Sequence, residues 1–168
     1  MRRLLSILGL TISLFLSPLH AETLPEPSGQ AVLTVTGAID ANNRGGAAVF
    51  DMEMLSDLPV TEFDTTTLWT EGSKTFTGVA LSDLLELLGV SEGTLRASAI
   101  NDYTVEIPVD SVADGAPIIA YRLDGAEMSR RQKGPLWIVY PYDSDAAFRT
   151  EVIYSRSIWQ LDRIEVVE

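Results

Sequence analysis

The clearest helical signal in this chain is one short leucine-rich stretch, residues 81–88, while most of the other elements read as strands. Leu81, Leu84, Leu85 and Leu88 fall on one face at helical spacing and suit a core. Ser82 or Asp83 is placed to cap the start and Gly89 to close the end. Residues 50–58 predict a second short helix ended by Pro59, and residues 109–113 a single helical turn. Strand signals, rich in β-branched and alternating residues, occupy 31–37, 60–70, 95–100, 103–107, 117–123, 136–140 and 158–167. Asn101-Asp102 and Asp124-Gly125 read as tight turns between strands, and residues 141–149 as a loop. Many strands with a few short helices give an α+β class built on a mixed sheet.

The N-terminus carries a different signal. Arg2 and Arg3 precede an apolar run from Leu4 to Leu16, and Ser17-Pro18-Leu19-His20-Ala21 follows as a cleavage region. That pattern predicts a secretory signal peptide over 1–21, and the run is shorter than the roughly 20 residues of a membrane span. Leu19 is larger than the small residue cleavage favours at that place, so an uncleaved anchor is the alternative. Residues 22–30, with two prolines, form a polar leader, and 31–168 form one domain. The expected location is the periplasm.

Loss of residues 1–21 would remove the only histidine, His20, and the chain has no cysteine. Thiolate or imidazole metal sites and Ser–His or Cys–His nucleophiles are therefore excluded from residues 22–168. The net charge of −12 repels nucleic acid and anionic lipid. Asp143-Ser144-Asp145 supplies too few ligands at calcium-loop spacing. A binding module is favoured over a metal-dependent enzyme.

Five segments in order are similar to a known family. They are residues 76–85 (FTGVALSDLL), 101–108 (NDYTVEIP), 119–125 (IAYRLDG), 133–141 (KGPLWIVYP), and Arg156-Ser157-Ile158 continuing into 161–166 (LDRIEV). Together they resemble the molybdopterin-binding oxidoreductase domain of the sulfite oxidase fold, over roughly residues 31–168. Catalytic members carry a molybdenum-ligating cysteine in a Thr-Leu-x-Cys-x-Gly pattern. The matching residues here are Thr67-Leu68-Trp69-Thr70-Glu71-Gly72, with Thr70 in place of the cysteine. A neutral hydroxyl is a poor ligand for a soft metal, so the resemblance implies a pterin pocket, for a reduced tetrahydropterin among others, without molybdenum. The chain is most similar to small periplasmic pterin-binding proteins that act on a membrane-bound enzyme of cyclic-di-GMP metabolism. The resemblance implies that the periplasmic domain of such a sensor enzyme is the partner. The alternative is a molybdopterin-dependent oxidoreductase, or a subunit of one, with a non-cysteine metal ligand.

A pterin is a flat heterocycle with donors and acceptors along one edge. Its site needs an aromatic face and convergent polar groups, for which a carboxylate is well suited. Candidates are Trp69, Thr70 and Glu71 at the matched strand end, and Asn101, Asp102 and Tyr103 on a loop. Arg130, Arg131 and Lys133 form either an anion clamp or a solvated basic loop. Tyr142, Arg149, Arg156 and Trp159 lie in or around the last loop, with Tyr140 and Tyr154 nearby. Trp69 and Trp159 suit a core as well as a site, Trp137 suits the core better, and Asn101-Asp102 suits a plain turn equally.

Overall fold

The computed structural model describes residues 24–168; the signal-peptide reading of 1–21 lies outside them. In chain order the elements are β1 (Leu33–Gly37), β2 (Ala48–Phe50), α1 (Met52–Ser56), β3 (Val60–Thr66), β4 (Ser73–Ala80) and α2 (Leu81–Leu87). Then come β5 (Thr94–Ala99), β6 (Thr104–Pro108), β7 (Ile118–Leu123), β8 (Ala126–Glu127), β9 (Trp137–Val139), α3 (Glu151–Ser155) and β10 (Leu161–Val167). Short 3-10 turns occupy Val109–Ser111, Arg130–Gln132 and Ala146–Phe148.

The strands form two sheets. The first runs β2-β1-β10-β5-β6 and is mixed, because β1 and β10 pair in parallel while its other neighbours are antiparallel. The second runs β3-β4-β7-β8, with β9 also paired to β7, and is antiparallel throughout. The fold is α+β, as expected. One apolar cluster joins the inward residues of both sheets to the buried leucines of α2, and Phe76 and Trp137 lie fully inside it.

Several local expectations change. The helix expected over 50–58 shortens to α1, because Phe50 pairs with Leu33 in the first sheet. Asp51 caps α1: its Oδ1 accepts from Met54 N (2.9 Å), and Oδ2 accepts from Gly29 N (2.7 Å) in the leader. The Met54 amide, then that of Gly29, holds this carboxyl below the ordinary aspartate range. Neither Ser82 nor Asp83 caps α2. Its N-cap is Ala80, and the Leu81 amide is satisfied by the carbonyl of Pro117 instead (2.9 Å). Gly89 does close α2, at φ +72° beside Asp40.

The strand expected over 60–70 stops at Thr66, and its partner β4 was not legible as a strand at all. β4 is an interior strand of the second sheet, between β3 and β7. Its pairing to β7 shifts register between Thr77 and Gly78, where a side-chain Cβ would overlap the Ile119 carbonyl. Gly78 thus permits the close approach of two backbones. Asp124 and Gly125 have φ of +51° and +76° and join β7 to β8 as a two-residue turn, as their sequence predicts.

Two glycines separate close approach from backbone freedom. Gly78→Ala forces main chain apart in the interior of a sheet and should cost about 3 kcal/mol. Gly125→Ala meets open space and should lose only the left-handed backbone preference, about 1 kcal/mol. Urea denaturation of both variants checks the order; equal losses would contradict the close-approach account.

Candidate functional site

Thr66, the last residue of β3, is anchored across the molecule. Its amide donates to Asp143 Oδ2 (2.6 Å) and its hydroxyl to Oδ1 (2.9 Å), while the Asp143 amide donates to Thr65 Oγ1 (3.1 Å). The Thr66 amide, followed by its hydroxyl, pulls the Asp143 carboxyl below its ordinary range, so the anchor stays ionised at neutral pH. The chain then turns. Thr67 Oγ1 accepts from Trp69 N (3.0 Å) and shares a hydrogen bond with Thr70 Oγ1 (2.9 Å). This threonine-built turn brings Trp69 back against the protein between β3 and β4.

Four aromatic rings meet the Trp69 indole edge-on: Trp159 at 5.6 Å, Trp137 at 6.0 Å, Tyr154 at 6.1 Å and Tyr142 at 6.3 Å between centroids. They come from β9, the following loop, α3 and the approach to β10. Edge-to-face contacts of this kind add roughly 0.5–1.5 kcal/mol each beyond area burial. Trp137 is fully buried, and its Nε1 has no hydrogen-bond partner; its ring neighbours are Phe76, Trp69 and Trp159.

Beside Trp69 opens a cavity of about 330 Å³. Trp69, Trp159, Tyr154 and Tyr103 give it aromatic walls, and Ala99 and Ile158 add apolar surface. Its polar lining is Asn101, Ser155, Ser157 and Gln160, none of them charged. The volume lies at the lower end of small-molecule sites, roughly 300–1,000 Å³. It suits a flat bicyclic heterocycle with hydrogen-bonding edges, so the lining fits a pterin ring. The donor set does not fit a thiolate-held molybdenum. No cysteine exists in the chain, the Thr70 hydroxyl is bonded to Thr67, and no cluster of three potential metal ligands occurs among the described residues.

The sequence candidates divide accordingly. Trp69, Asn101, Tyr103 and Trp159 line the cavity. Thr70 stays in the turn and Glu71 is exposed beyond it, both in the loop after β3 and not at a strand end. Tyr142 lies behind the wall, stacked on Tyr154 at 5.1 Å, with its hydroxyl donating to Ser157 Oγ (2.6 Å). Lys133 Nζ sits over the Trp159 ring, 4.2 Å from its centroid, and 5.5 Å from that of Trp137, in cation–π contact with both indoles. Asp102 pairs with Arg163 instead of facing the cavity. Arg149 donates to the Tyr142 carbonyl (3.0 Å), and Arg156 to Ser111 Oγ (3.2 Å). Arg130 and Arg131 are exposed on a 3-10 turn, and Arg130 borders a separate cavity with Met128 and Pro135. The carboxylate that the sequence argument favours is thus absent from the lining, and amides stand there instead. Ser155, Ser157 and Gln160 were not among the sequence candidates; nothing in their spacing distinguishes them from surface residues.

The oxidoreductase molybdopterin binding domain family matches residues 47–149, and the chain belongs to that family. The match includes Trp69, Asn101 and Tyr103 but ends before Tyr154–Gln160, which complete the cavity. No curated protein matches the chain.

Burial pushes the Tyr142 hydroxyl up to about 12, against the Ser157 hydrogen bond that lowers it. Its folded value exceeds the unfolded one of roughly 10. The stability it contributes is therefore complete below about pH 10 and is lost as pH rises toward 12. Tyr142→Phe should cost about 1 kcal/mol at pH 7 and flatten the alkaline fall in stability, which denaturation at stepped pH would show. An unchanged alkaline slope would contradict this account.

Proposed function

We propose that this member of the molybdopterin-binding domain family is an exported pterin-binding module that works without molybdenum. It reports its occupancy to the periplasmic domain of a membrane-bound signalling enzyme of cyclic-di-GMP metabolism. One observation carries the binding part of this reading. The turn that holds a metal-ligating cysteine in catalytic members here ties Thr70 to Thr67 and presents Trp69 to an uncharged aromatic cavity. The resemblance to small periplasmic pterin-binding proteins supports the export and the partner.

In this reading Trp69 and Trp159 offer faces to the ring, and Asn101 and Gln160 meet its polar edge. A bound pterin would supply a redox-sensitive heterocycle whose oxidation state the cavity could distinguish. The chain's own residues bind and orient it and keep water from its faces. Tyr103, 57% exposed, forms a wall that remains open to solvent and to a partner.

Purified from a pterin-making host and then denatured, the protein should release a pterin identifiable by mass spectrometry, with molybdenum far below one equivalent. All three tryptophans belong to one contact cluster, so added tetrahydropterin should quench most of the intrinsic emission. Trp69→Ala should weaken binding by at least about tenfold, or 1.4 kcal/mol. The loaded protein should bind the sensor's periplasmic domain more tightly than the empty one. Stoichiometric molybdenum would favour the oxidoreductase alternative, and the absence of any pterin binding would defeat the proposal.

A further inference from the structure

Gln160 is the least expected member of the cavity lining. It is a non-glycine residue at φ +54°, immediately before β10. Its backbone is held on both sides: its amide donates to the Lys133 carbonyl (2.9 Å), and its carbonyl accepts from Ile100 N (3.1 Å). Its side chain is held too, because Nε2 donates to the Arg130 carbonyl (2.6 Å). A carbonyl can only accept, so this contact fixes which end of the amide is nitrogen. The left-handed backbone is a cost that the surrounding contacts sustain, and such positions gather at ligand sites.

The consequence is a defined polarity. With one of its two Nε2 hydrogens committed there, Gln160 keeps both lone pairs of Oε1 as acceptors. Asn101 is committed in the opposite sense: its Oδ1 accepts from Tyr103 N (3.2 Å), which leaves Nδ2 as a donor. Both residues line the same uncharged cavity, Gln160 with its amide oxygen and Asn101 with its amide nitrogen outside these contacts. The side-chain hydroxyls of Ser155 and Ser157 already donate to the carbonyls of Val152 and Ile153.

We infer that Gln160 is the specificity-determining residue of this site, selecting a heterocycle with an amino group on its pyrimidine edge over one with a carbonyl there. The inference rests on the proposal that the cavity takes a pterin, and it adds which atom reads the ring. A 2-amino group donates to Oε1. A 2-oxo group in its place sets two acceptors against each other and leaves both unpaired, which costs about tenfold or more in affinity. A carboxylate would select the same amino group, but it would place a charge in a lining that has none.

Pterin and lumazine, which differ at this position, separate the possibilities when each is titrated into the full chain in oxidised and tetrahydro forms. Wild type should prefer pterin by at least about tenfold. Gln160→Gly keeps the backbone conformation and should bring the two ligands to within about threefold of each other, mainly by weakening pterin. A residue with only a structural role would lower both affinities together. Gln160→Asn, which also tolerates this backbone, carries the same test if the glycine variant is unstable, since its shorter amide withdraws the acceptor. Equal affinities in wild type, or a preference that survives both substitutions, overturns the inference while pterin binding stands. If wild type binds neither ligand, the pterin reading fails and takes the inference with it.

Discussion

The Trp69 indole is where the functional end of this molecule is tied together. It stands in a loop between two strands, where a large aromatic would ordinarily be free to swing. Two threonine hydroxyls and the Asp143 carboxylate deny it that freedom by fixing the turn and the strand end before it. Rings from four separate stretches of chain then close around it. Because each contact is edge-on and modest, rigidity comes from their number and their different origins. Removing the indole would loosen the cavity wall and the packing of α3 together.

The charges around the cavity are arranged so that its lining carries none. The protein is strongly acidic, yet several basic side chains close to the site are already engaged. Lys133 rests on indole faces, Arg163 is shared by Asp102 and Asp162, and Arg149 and Arg156 donate to a carbonyl and a hydroxyl. What remains for a ligand is aromatic surface and a few oriented dipoles. Such a lining is suited to discriminate by shape and by hydrogen-bond direction.

Features set by local chemistry were legible in the sequence. The Asp124-Gly125 turn follows from two residues that tolerate positive φ, and the leucine spacing of α2 places that helix correctly. Features set by tertiary contact were not. β4 mixes threonine, lysine and glycine, and its strand character comes from being paired on both sides. α2 starts without a side-chain cap because a distant carbonyl meets its first amide. In the site, the aromatic residues Trp69, Tyr103 and Trp159 could be nominated from chemistry alone, with Asn101. Asp102 could not be told from Asn101 until one turned to the cavity and the other to Arg163. Gln160 carries no local signature, since its conformation is imposed by Lys133, Ile100 and Arg130.

The parallel pairing of β1 with β10 bears on when the protein can become itself. β10 occupies the centre of the mixed sheet, between β1 and β5. A chain emerging from its N-terminus has β1, β2, β5 and β6 available long before the strand that must join them. Closing so long a loop is entropically costly and makes assembly slow. The cavity wall from Tyr154 to Gln160 arrives just ahead of that strand. A nascent chain therefore has no finished pocket until the residues through β10 have been made.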